Sequence, residues 1–161
     1  MDVKLYEKAL KIATNAHEGQ TRKFGVDKDK PYIIHPIRVA KKLKGLSKVV
    51  AILHDVLEDT KVTESELLKV FPKDVVEAVK LVTKKRKDNY FDFILRIADF
   101  QYFSMTTQIA LEVKLADLKD NLRSLAEGSL KDKYRFAIHM IEESIDIANE
   151  RGFWIFVEGD E

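Results

Sequence analysis

The stretch His54-Asp55-Val56-Leu57-Glu58-Asp59-Thr60 gathers one imidazole and three carboxylates directly after the apolar run Val49-Val50-Ala51-Ile52-Leu53. The run reads as a buried helix with Ser47 as its N-cap. Ionisable groups closing such a helix cost several kcal/mol if left unpaired. A divalent cation satisfies them together, because it replaces water with ligands and keeps the carboxylates ionised. The plainer alternative is a solvated acidic helix end, with His54 merely near the carboxylates.

Three other places carry residues of the same chemistry. His35 follows the apolar pair Ile33-Ile34 and precedes Pro36, which suits the first turn of a helix over 37–44. An imidazole at the mouth of that helix is held in place, as a metal ligand must be. Farther on, Lys114, Asp117, Asn121 and Ser124 recur at three- and four-residue steps beside an apolar stripe of Leu111, Leu115, Leu118, Leu122 and Leu125. A helix with so apolar a face is buried, and its polar row must meet something polar: a metal cluster with a phosphorylated ligand, or simply Lys114 paired to Asp117 on the surface. Arg22 and Lys23 lie in a long Gly- and Pro-punctuated loop over 19–36. They suit phosphate oxygens, Arg through its planar fork and Lys as a point charge, or are two solvated cations.

Other polar residues carry less. His17 closes the first helix and reads as a packed, capping or outer-sphere histidine; His139 reads as a packing or surface residue. Asp27 to Lys30 alternates in sign, as a solvated hairpin tip does, and is assigned no role. Lys84-Lys85-Arg86-Lys87 fits a solvated helix end favoured by the helix dipole better than a phosphate-binding lid.

The elements that must position these groups are helical. Leu5, Ala9, Ile12, Ala13 and Ala16 mark an amphipathic helix ending near Gly19, with Asp2 as its N-cap. Thr63-Glu64-Ser65-Glu66 has the form of a capping box opening a short helix through Val70, and Pro72 starts a helix carrying Val75, Val76, Val79 and Val82. Phe91, Ile94, Leu95 and Ala98 form the apolar face of a helix over 90–98, and a last helix runs from about Ser129 to Arg151. The run Phe153-Trp154-Ile155-Phe156-Val157 alone is strand-like, and either packs back on the bundle or offers a contact to a second copy. The expectation is an all-α fold, a single helical bundle over 1–161 with 152–161 as a C-terminal tail.

Composition sets the surroundings. With 28 basic and 27 acidic residues the net charge of +1 offers no electrostatic footprint for a nucleic acid polymer or an anionic membrane. Cysteine is absent, which excludes a disulfide framework and a thiolate zinc site. No apolar stretch approaches the ~20 residues that span a bilayer, and Met1-Asp2-Val3-Lys4 opens no signal region. A cytoplasmic protein acting on a small molecule, alone or as a homo-oligomer, is expected.

Taken together, His35-Pro36, His54-Asp55 and Lys114-Leu115-Ala116-Asp117 resemble the HD-domain metal-dependent phosphohydrolase superfamily. The fuller set is narrower: Ala16-His17-Glu18-Gly19-Gln20-Thr21-Arg22-Lys23, Pro31-Tyr32-Ile33-Ile34-His35-Pro36, His54 to Thr60, and Lys114 to Leu125 resemble, in order, the hydrolase domain of RelA/SpoT homologues and the small stand-alone hydrolases. The resemblance implies removal of the 3′-pyrophosphate of guanosine tetra- and pentaphosphate. It makes His35, His54, Asp55 and Asp117 metal ligands, with manganese the usual ion. Two imidazoles, two carboxylates and open water positions suit such a hard N/O site better than a closed zinc site. It gives Glu58 and Asp59 to catalysis, positioning or deprotonating the attacking water, and Arg22, Lys23, Asn121 and Ser124 to the nucleotide. The chain departs from the pattern at Leu118, where a basic residue is usual, and at Asp120, where the larger enzymes have His. The loop between Lys23 and Pro31 is longer than in many members, and 84–108 matches the large enzymes poorly. These changes bear on charge around the nucleotide more than on the metal. A phosphohydrolase of another nucleotide and a non-catalytic metal-dependent nucleotide sensor remain as alternatives, although a sensor needs no water-activating carboxylates. The length leaves no room for synthetase and regulatory domains, so hydrolysis alone is expected.

Overall fold

In the computed structural model, which describes residues 3–23, 25–99 and 103–154, helices occupy nearly every stretch with three- and four-residue apolar spacing. They are α1 (Val3–Ala16), α2 (Ile34–Ala40), α3 (Gly45–Leu53), α4 (Val56–Asp59), α5 (Glu64–Leu68), α6 (Lys73–Val82), α7 (Tyr90–Ile97), α8 (Met105–Leu122) and α9 (Ser129–Glu150). No strand forms among the described residues; one isolated antiparallel bridge joins Thr21 to Pro31. The architecture is all-α, as the periodicity predicts.

Helix α8 is the axis of the bundle, packed against α2, α3, α6, α7 and α9. This burial corrects the expectation of one narrow apolar stripe. Ile109, Ala110, Val113 and Ala116 are buried along with Leu111 and Leu118, whereas Leu115 and Leu122 are only half-buried and Leu125 lies beyond the helix end. A helix enclosed on most sides has no single apolar face. It begins at a capping box, in which the Ser104 hydroxyl accepts from the Thr107 N–H and Thr107 accepts from the Ser104 N–H. One apolar core draws on all nine helices, with Ile52, Leu53, Leu67, Phe93, Leu111, Leu118 and Ile141 fully enclosed. Each such side chain contributes about 1.5–3 kcal/mol by leaving water.

Several expected boundaries and faces shift. Helix α3 starts at Gly45 with Lys44 as an N-cap that makes no side-chain bond, so Ser47 is not the cap; it is buried and its hydroxyl donates to the Glu112 carboxylate on α8. Helix α2 covers Ile34–Ala40 rather than 37–44, which puts His35 inside its first turn. Pro36 still falls where its missing N–H has no helical partner to lose. In α7 the enclosed stripe is Phe93, Ile94 and Ile97, while Phe91 and Leu95 stay 46% and 50% exposed. The segment is apolar almost all round, and packing on α8 and α9 selects between faces that spacing alone leaves equivalent. The Thr63 capping box of α5 and the Pro72 start of α6 are as expected. Asp2 and residues 155–157 lie outside the described residues. Of the tail, Phe153 stacks on Phe103 with ring centroids 6.2 Å apart, and Trp154 reaches the same ring at 5.7 Å.

Candidate active site

Helix α3 ends at Leu53, and His54 and Asp55 occupy the turn before the one-turn helix α4, so the motif is a break between two helices rather than one continuous helix end. The break turns His54 inward, where it is 3% exposed, and leaves Asp55 half-buried beside it. His35 reaches the same spot from α2 and Asp117 from the middle of α8. The donor atoms of His35, His54 and Asp117 lie within 4.8 Å of one another. Asp55 flanks them, its Oδ2 3.0 Å from His54 Nε2 and 3.9 Å from His35 Nε2.

The hydrogen bonds behind the two imidazoles fix which nitrogen faces the cluster. His54 Nδ1 lies 2.7 Å from the Ala51 carbonyl oxygen, which only an N–H can satisfy. Its Nε2 is therefore the free nitrogen, buried and without a hydrogen-bond partner. His35 Nδ1 lies 2.9 Å from Asp120 Oδ2, and its Nε2 faces Asp117 Oδ1 at 3.0 Å. Imidazole lone pairs aimed at carboxylate oxygens repel unless a positive charge lies between them. The same carboxylates draw a proton to the ring: burial opposes charge on His54, yet Asp55 and Asp117 raise its pKa well above the ordinary imidazole value. Asp117 is held well below the carboxylate range; burial works against this, and Lys114, 2.9 Å away, with the two histidines overcomes it. Protons on the imidazoles or a cation between the groups can satisfy this donor set, and two nitrogens with carboxylate oxygens around a buried point fit a divalent metal ion.

The cluster opens on a cavity of about 770 Å³, whose wall includes Gln20, Arg22, Lys23, Tyr32, Asp55, Glu58, Asp59, Lys84, Lys114, Asp117, Asn121, Ser124, Lys133 and Tyr134. Glu58 and Asp59 stand at its edge, exposed, on the α4 turn. Glu58 Oε2 accepts the Lys84 backbone N–H at 2.9 Å, so the basic run 84–87 begins at the cavity rim. Partial desolvation by the cavity walls, with Asp55 nearby, raises the pKa of both Glu58 and Asp59. Arg22 donates to Asn121 Oδ1 at 2.7 Å, and Asn121 donates to Asp117 Oδ1 at 2.6 Å, which ties the loop cation to a carboxylate of the cluster. Ser124 lies in the turn after α8 and donates to the Asn121 carbonyl oxygen at 3.1 Å. Another hollow, of about 740 Å³ between α7 and α9, is lined by Leu95, His139, Glu143 and neighbours. No His/Asp cluster lies there among the described residues.

Every predicted site residue therefore reaches this one region. Four further residues lie in or beside this region, of which the sequence offers an outer-sphere role for His17 alone. Tyr32 donates from its hydroxyl to Asp55 Oδ2 at 2.5 Å and lies 3.3 Å from Asp59 Oδ2, bridging the two carboxylates. The buried His17 ring stacks on Tyr32 at 4.7 Å, and its Nδ1 meets Gln20 Oε1 at 2.8 Å. Asp27 is no solvated tip: it is buried and paired with Lys30, Arg38 and Arg123 at 3.0, 2.7 and 3.2 Å. Asp120, noted only as a departure, is 1% exposed beneath His35. The Pro31-Tyr32 spacing from His35 is the one signal that could have marked Tyr32.

The loop bearing Arg22 and Lys23 is seated by a close approach. Gly25 has φ +75°, and a Cβ there would stand 2.5 Å from both the Cβ and the carbonyl oxygen of Ser124. Gly25→Ala is expected to destabilise the fold by about 2–4 kcal/mol, from left-handed strain plus overpacking, as read from urea denaturation midpoints. Unchanged stability would mean that the Ser124 turn yields without cost.

No protein-family model matches the chain. Among characterised proteins it is 37% identical, over 83% of its length, to the bifunctional (p)ppGpp synthase/hydrolase SpoT of Escherichia coli K12. It is 32% identical over 98% of its length to a GTP pyrophosphokinase of Myxococcus xanthus, and 32% over 90% to a guanosine-3′,5′-bis(diphosphate) 3′-pyrophosphohydrolase of Borreliella burgdorferi. The chain spans 20–22% of the length of these relatives. The solved structure of a metazoan ortholog of SpoT, which hydrolyzes ppGpp and plays a role in starvation responses, matches it with a TM-score of 0.68 at 22% identity, over 96% of this chain and 99% of that one. Sequence over most of the chain and fold over nearly all of it agree: the chain is similar to one part of the SpoT-related enzymes and has the all-helical fold of the metazoan SpoT ortholog.

Proposed function

We propose that the chain is a metal-dependent phosphohydrolase of the cytoplasm that removes the 3′-pyrophosphate of (p)ppGpp, working as one HD-type domain with manganese as its ion. The observation that carries this reading is the buried His35, His54 and Asp117 donor set, flanked by Asp55, opening on a cavity that also holds two carboxylates and several cations. His35, His54, Asp55 and Asp117 would hold the ion. When bound, it supplies a lowered pKa for a coordinated water and neutralises charge on the phosphoryl oxygens.

The chain's own groups account for the rest of the reaction. Glu58 and Asp59 orient a water at the cavity edge and accept its proton; their raised basicity suits that task. The water oxygen bonds to the phosphorus carried by the ribose 3′-oxygen, the P–O bond to that oxygen breaks, and the 3′-oxygen leaves with a proton as the hydroxyl. Arg22, Lys23 and Lys114 line the cavity and offer positive charge to the phosphates; Asn121 and Ser124 hold Arg22 and the loop at the nucleotide. Tyr32 fixes the relative positions of Asp55 and Asp59.

Leu118 and Asp120 are the departures that would favour another nucleotide. Both are 1% exposed and neither is part of the cavity wall, so they give no reason to prefer one. The test is manganese-dependent release of pyrophosphate from guanosine tetraphosphate by the purified protein, with Glu58→Ala/Asp59→Ala as control. Release by the wild type alone supports the reading. With bound metal but no release, this substrate is wrong, and a nucleotide panel then separates another hydrolase from a sensor.

A further inference from the structure

The two imidazoles at the metal site are backed differently. His54 Nδ1 meets a neutral acceptor, the Ala51 carbonyl, whereas His35 Nδ1 meets the Asp120 carboxylate at 2.9 Å. Asp120 is 1% exposed, and a carboxylate so deep is tolerated only when its oxygens are filled with donors. Arg38 supplies most of them, with Nε 2.9 Å from Oδ1 and Nη2 2.8 Å from Oδ2, and Lys42 Nζ lies 3.3 Å from Oδ1. The chain of charges continues outward. Arg38 Nη1 is 2.7 Å from Asp27 Oδ2, and Asp27 sits in the turn next to Gly25, on the loop that carries Arg22 and Lys23.

We propose that Asp120 is a positioning residue for the metal-binding imidazole of His35, itself held by Arg38 and through it by Asp27. The proposal rests on the metal site of the preceding section. Its physical content is that Asp120 keeps the proton on Nδ1, leaves the Nε2 lone pair toward the ion, fixes the ring plane and strengthens the nitrogen as a ligand. A purely structural salt bridge in the same place would stabilise the fold and leave metal affinity alone.

The two roles separate when manganese binding and folding stability are measured on the same samples. Metal-free wild type, Asp120→Asn and Arg38→Gln are titrated with manganese, with free ion followed by electron paramagnetic resonance, and each metal-free protein is melted by circular dichroism. Asp120→Asn is expected to weaken manganese binding by about 10–100-fold. Arg38→Gln, which keeps the carboxylate but removes its main donor, shifts affinity in the same direction by less. Because Arg38 is partly exposed, this second variant decides the matter if Asp120→Asn does not fold. Folded variants that melt lower but bind manganese as the wild type does overturn the proposal while leaving the metal reading intact. A wild type that takes up no manganese overturns both.

Discussion

Stripping the metal with a chelator is expected to lower turnover of guanosine tetraphosphate by on the order of 10³-fold or more and to lower the melting temperature as well. The reason lies in the apposition of His54 Nε2, which has no hydrogen-bond partner, with Asp55 Oδ2 at 3.0 Å and Asp117 Oδ1 at 3.6 Å. Without an ion the cluster holds together only by taking up protons or by moving apart. Manganese at about 100 times its dissociation constant contributes roughly 2.7 kcal/mol to stability, which for a domain of this size raises the melting temperature by about 5–11 °C. Both effects should reverse together when manganese is added back. Full turnover by a protein shown by elemental analysis to be metal-free would sink the metal assignment.

Much of this site is legible in the sequence because its parts are local. His54, Asp55, Glu58 and Asp59 share one turn-helix segment, so wherever one points the others are near. Lys114, Asp117 and Asn121 share a face of α8 by spacing alone, and the Lys114–Asp117 pair exists as well as lining the cavity. The Thr63 box and the Pro72 start are equally local.

What stayed hidden depends on partners far along the chain. Asp120 meets His35 across 85 positions and Asp27 meets Arg123 across 96, and nothing in a run of alternating charges tells a buried anchor from a solvated tip. The start of α8 carries a weak signal, because Thr107 stands where a capping box usually has Glu or Gln. Its buried faces, and that of α7, were misread because an element enclosed by several neighbours loses the one-sided pattern on which periodicity depends. Tyr32 looks like an aromatic packing residue until its hydroxyl is seen between two carboxylates.

The sharpest division of labour within the site concerns Glu58 and Asp59, which share the cavity with Asp55 but lie outside the His35, His54 and Asp117 donor set. Glu58→Gln and Asp59→Asn are each expected to reduce kcat by about 10²–10⁴-fold while manganese affinity stays at the wild-type value. Each carboxylate is already oriented on one side, Glu58 by the Lys84 N–H at 2.9 Å and Asp59 by Tyr32 at 3.3 Å, which leaves its remaining oxygen for the water. The amides keep the shape and lose the proton acceptor. If both act on one water, the double variant should lose little more than the worse single one, since groups that work as a unit are far from additive. Rates multiplying independently would mean instead that the two serve different steps, and a loss of manganese binding in either variant would place that residue among the ligands rather than at the water.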